Sequence, residues 1–90
     1  MEIFKMTMTT EAKAWIKRGK SADEIVRVVP DEIDKDGRPI SYNLFTAYEE
    51  NYLGRILFDA QGYWIYDGQV LTVTETEQLA RFIINYKGAV

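Results

Sequence analysis

The chain has 90 residues, with no cysteine, no histidine, a net charge of −3 and 47% hydrophobic residues. That length suits one domain, and no apolar run approaches the roughly 18–20 residues that cross a bilayer. The missing cysteine and histidine remove disulfides, thiolate chemistry, the commonest general base and the commonest nitrogen metal ligand.

From the N-terminus, Ile3, Phe4, Met6 and Met8 favour a strand over residues 2–8. Thr9 and Thr10 offer an N-cap, Glu11 suits a first helical turn and Gly19 a stop, so a short helix is expected over 10–18. Ser21 and Glu24 have capping-box spacing, which starts a second helix at Ala22 that Pro30 ends. The β-branched run Ile25–Val29 leaves a strand open as the alternative. Residues 30–40, with two prolines, a glycine and four acids, read as a loop. Ser41 then caps a third helix over 42–52, with Tyr42, Leu44, Phe45, Tyr48 and Tyr52 as its apolar positions.

Strand signals follow over 55–58, 63–66 and 69–71, joined by Asp59-Ala60-Gln61-Gly62 and by Asp67-Gly68. Thr72 and Glu75 form another capping box. The helix they open spans 73–86, with Thr76, Leu79, Ala80 and Ile83 on one face and Lys87-Gly88 at its close. The expected fold is therefore α+β. It is one small domain over 1–90, with short N-terminal helices, a three-stranded antiparallel meander and a C-terminal helix, and with an N-terminal strand as a possible addition. No leader is evident at Met1-Glu2-Ile3-Phe4-Lys5, and a cytoplasmic location is expected.

Several constellations carry chemistry. Glu32, Asp34 and Asp36 precede Gly37 with the spacing of the first half of a calcium loop. Asn43 stands where a closing bidentate glutamate belongs, which leaves these three as weak metal candidates in an acidic turn. The order helix, helix, helix, hairpin resembles a winged helix, which implies nucleic-acid binding or regulation. Residues 41–53 hold no Lys or Arg but do hold Glu49 and Glu50, and Asp59–Gly62 is not basic, so nucleic acid is a poor partner. For an enzyme, Glu49 with Glu50, or Asp59 with Asp67, are the paired carboxylates available. Neither pair marks a reaction centre, and no cofactor is expected.

Tyr63, Trp64 and Tyr66 crowd one strand, where Trp64 and Tyr66 share one face and Tyr63 and Ile65 the other. A sheet covered on one side exposes one of these pairs, and large exposed aromatics suit partner binding. Residues 1–30 carry six Lys/Arg against four acids, and residues 31–90 five against ten. That asymmetry favours a basic partner surface. The expected function is a non-enzymatic protein–protein interaction module that occludes a surface of a larger protein. It would use Tyr63, Trp64 and Tyr66, rimmed by Glu49, Glu50, Asp59 and Asp67, and a homodimer is compatible with this. In size and composition the chain resembles phage or mobile-element accessory proteins, which implies inhibition of a host machine.

Overall fold

The computed structural model describes residues 8–19 and 21–86. Five strands run in chain order: β1 (Ala12–Ile16), β2 (Glu24–Pro30), β3 (Ser41–Thr46), β4 (Tyr52–Phe58) and β5 (Trp64–Asp67). One helix, α1 (Val73–Ile84), follows. The strands form one sheet in the order β1-β2-β3-β4-β5, every neighbour antiparallel, so the chain meanders from one edge to the other. No helix among the described residues is long and apolar enough to cross a membrane.

Period-two alternation gives each strand an inner face. Ala14 and Ile16, Val26 and Val28, Tyr42 and Leu44, and Ile56 and Phe58 point inward and are buried. Thr76, Leu79, Ala80 and Ile83 of α1 complete the core, with Met8, Leu53 and Leu71. The buried Tyr42 hydroxyl donates to the Met8 carbonyl at 2.7 Å, and burial pushes its pKa up to about 12. Two contacts fix α1 beside β1. The Gln78 side-chain amide bonds both peptide groups of Lys17, at 2.7 and 2.9 Å, and Glu75 takes the Arg18 guanidinium at 2.8 Å.

The α+β class, the 55–58/63–66 hairpin and the C-terminal helix are as the sequence indicates, except that the helix ends at Ile84 rather than at 86, and Lys87-Gly88, expected to close it, lie outside the described residues. Thr72 and Glu75 form the reciprocal capping box, and Asn85 caps the other end. The three N-terminal helices are not. Residues 10–18 hold β1, where Ala12, Ala14 and Ile16 alternate with Lys13 and Trp15, and Gly19 (φ 66°) serves a turn. Residues 22–29 hold β2, the open alternative, because β-branched side chains favour the pleated surface. Glu24 there meets Arg18 at 3.2 Å rather than closing a capping box.

Residues 42–52 split into β3, a turn over 47–51 and the start of β4. Tyr42, Leu44 and Thr46 are spaced for a strand face, and the Thr46 hydroxyl accepts from the Asn51 N–H at 2.9 Å to close the turn. With strands in these three places, the order that resembles a winged helix is absent from the described residues.

The expected third meander strand, 69–71, is not a strand either. β5 ends at Asp67, and the chain folds over the Tyr66 hydroxyl, which donates to the Leu53 carbonyl and accepts from the N–H groups of Val70 and Leu71. Asp67-Gly68 therefore leads toward the helix instead of closing a hairpin. The strand expected over 2–8 lies outside the described residues except for Met8, which is buried and not in a strand.

Candidate docking face

Because α1 covers only the inner face, the opposite face of the sheet lies uncovered among the described residues. Alternation assigns its members: Lys13 and Trp15 from β1, Ile25, Arg27 and Val29 from β2, and Asn43 and Phe45 from β3. Tyr52, Arg55 and Leu57 come from β4, and Ile65 and Asp67 from β5. Tyr63 follows from the adjoining turn. Trp15 (63%), Tyr52 (55%), Tyr63 (72%) and Ile65 (65%) keep most of their surface in solvent. Large apolar side chains gathered this way on one face are uncommon for a finished monomer surface.

Polar ladders order the aromatics. Register places Lys13, Arg27, Phe45 and Tyr52 across four adjacent strands. The Arg27 guanidinium lies 4.9 Å from the Phe45 ring centroid and bonds Glu11 and Glu50, each at 3.1 Å. Phe45 and Tyr52 are 5.5 Å apart between centroids, and the Tyr52 hydroxyl donates to Asn43 Oδ1 at 3.1 Å. In a second row Arg55 meets Asp67 at 3.1 Å and Glu32 at 3.5 Å. Each arginine thus spans two carboxylates, which holds the face in one arrangement.

The residues singled out in the sequence fall into two groups. Tyr63 stands on the uncovered side. Trp64 and Tyr66 do not: both are half-buried against the core, and Tyr66 is fixed by its three hydroxyl contacts. Of the expected rim, Glu50 and Asp67 are neutralised by Arg27 and Arg55. Asp59 Oδ1 accepts from the N–H groups of Gln61 and Tyr63 and so builds the β4–β5 turn. Glu49 is exposed in the β3–β4 turn, accepting from the Asn51 amide at 3.4 Å. Asp59 and Asp67 sit at opposite ends of β5.

The calcium-like loop folds as an extension of the β2–β3 hairpin. Asp34 Oδ1 accepts from the N–H groups of Asp36 and Arg38, both at 2.9 Å, and these bonds, the Arg38 one foremost, hold its carboxyl below the usual range. Asp36 meets the Arg38 guanidinium at 3.2 Å, and Glu32 reaches toward Ser41 and Arg55. Asp34 and Asp36 are thus both taken up by Arg38, and Glu32 by Ser41 and Arg55, and no group of three or more ligating side chains is poised for a metal among the described residues.

Sequence reasoning missed Trp15, Ile25, Arg27, Phe45, Tyr52 and Arg55 as members of one face. The signal was the alternation in 12–16 and 41–46, which cap-like residues on either side disguised as helix. Comparison with family models, curated proteins and solved structures finds no match for this chain.

Proposed function

We propose that the protein is a non-enzymatic interaction module that docks the uncovered face of its sheet on a larger protein and occludes a surface there. The observation that carries this is the exposure of Trp15, Tyr52, Tyr63 and Ile65 on one preorganised face. Aromatic anchors held by neighbouring side chains lose little freedom on binding, which is how a small surface gains affinity.

Asp31, Glu49 and Asp59 stand at the ends of the sheet with no ion-pair partner among the described residues. With the net charge of −3, they favour a partner whose apolar patch is ringed by Lys and Arg. The size and composition it shares with phage and mobile-element accessory proteins suits an inhibitor of a host machine.

Affinity capture tests this, comparing the wild-type chain with Trp15→Ala, Tyr52→Ala and Ile65→Ala. Each variant is expected to weaken capture of a common partner roughly 10-fold or more, with the melting temperature nearly unchanged because these side chains add little to the core. Capture that survives all three but fails for Glu77→Ala and Arg81→Ala, on the solvent side of α1, contradicts the proposal.

A further inference from the structure

The two edges of the sheet are finished differently. At the β1 edge the Gln78 amide occupies the N–H and C=O of Lys17, α1 packs alongside, and Lys13 and Lys17 add charge. Such devices keep an edge from recruiting further strands. The β5 edge has neither the occupied peptide groups nor the helix alongside: its strand reads Trp-Ile-Tyr-Asp, with no proline or lysine, and its one charge, Asp67, is paired with Arg55.

The direction of its free peptide groups follows from the hairpin. The Tyr63 carbonyl accepts from the Asp59 N–H at 2.9 Å and so points toward β4. Alternate residues of an antiparallel strand turn their peptide groups to opposite sides. Trp64 and Tyr66 therefore turn theirs outward, and these groups meet no partner among the described residues.

We infer that β5 pairs antiparallel with β5 of a second copy, about a two-fold axis through Ile65, to make one continuous ten-stranded sheet. That register sets Trp64 opposite Tyr66 of the second copy and the reverse, so all four outward peptide units bond one another. It sets Ile65 against Ile65 on the outer face and Asp67 against Tyr63, so no like charges meet. Aromatic and β-branched cross-strand pairs of this kind stabilise sheets. A partner of different sequence could also add a strand, but β5 meets every requirement of its own partner. The inference stands apart from the proposed docking on a larger protein, since self-association is measured on this chain alone.

Sedimentation equilibrium of the full chain, up to about 1 mM because so short an interface is weak, gives the test. The wild type is expected to form dimers. Ile65→Lys, which brings two ammonium groups together at the axis, should raise the dissociation constant at least about 10-fold. Tyr63→Lys, which faces Asp67 of the second copy, should leave the constant unchanged or lower it. A wild type that stays monomeric overturns the inference, as does a dimer that Ile65→Lys leaves intact or that both variants weaken alike. Should Ile65→Lys fail to fold, amide exchange on the wild type decides. Protection of the Trp64 and Tyr66 N–H groups that rises with protein concentration supports the pairing, and protection independent of concentration overturns it.

Discussion

Tyr66 is where the last strand hands over to the helix. Its hydroxyl joins Leu53, Val70 and Leu71, and its ring lies over Gly54 and Gly68. Tyr66→Phe keeps the ring and strands three backbone groups, so chemical denaturation should show a loss of about 1–3 kcal/mol. Tyr63→Phe on the exposed side should cost almost nothing. Glu75 is the second residue that joins elements: one carboxylate oxygen bonds the Thr72 N–H and the other the Arg18 guanidinium. The bond from Thr72 foremost, with Arg18 beside it, holds its carboxyl below the usual glutamate value of 4.5. A carboxyl depressed in the folded state adds stability that is present above the unfolded-state pKa and lost as pH falls through the folded one. The urea midpoint of the wild type should therefore drop more steeply below about pH 4.5 than that of Glu75→Gln, Asp34 accounting for part of the remaining slope. Equal slopes would show that Glu75 contributes nothing.

Among the elements, the turns at 34–37 and 59–62 and the strand over 55–58 were legible, while the strands on either side of the first turn were not. Asp34-Lys35-Asp36-Gly37 and Asp59-Ala60-Gln61-Gly62 fold alike. Each Asp carboxylate accepts two N–H groups further on, and each glycine has positive φ, 83° and 90°. Local chemistry determines such turns, so composition alone reveals them. The C-terminal helix was legible for the same reason, since its capping box lies within four residues.

By contrast, β1, β2 and β3 depend on neighbours distant in sequence. Ser21 with Glu24 and Thr9 with Glu11 mimic caps, while the pairing of Val26 with Ala14 and Thr46 decides the conformation. The kink at the start of β4 has a sharper requirement. Gly54 has φ 110°, and an added Cβ would lie 2.8 Å from the Asp67 carbonyl and from the Tyr66 ring. Gly54→Ala should cost about 2 kcal/mol or more in thermal or urea unfolding, whereas Gly37→Ala, which meets open space, should cost about 1. Equal costs would mean that the contact with Tyr66 is unimportant.

At the scale of the molecule, one helix cannot cover both faces of a five-stranded sheet. The core forms where α1 packs, and Trp15, Tyr52, Tyr63 and Ile65 remain opposite. Of the site expected from sequence, only Tyr63 keeps its place as an exposed aromatic, because Trp64 and Tyr66 proved to be the inward pair. The rest of the face became visible only when β1 and β3 were aligned by register. Its charges are also more balanced than composition suggests, since Arg27 and Arg55 lie on the uncovered face among four carboxylates. Partner binding should accordingly weaken only modestly with added salt, reflecting Asp31, Glu49 and Asp59 at the rim rather than a uniformly acidic surface.

Trp15 reports on this face directly. In Trp64→Phe it is the only tryptophan, and acrylamide should quench it readily in the free chain, where it is 63% exposed. With the captured partner bound at saturation, docking through the outer face predicts that quenching falls severalfold and the emission shifts to the blue. Quenching of Trp15 that is the same in the free and the bound chain would contradict the account.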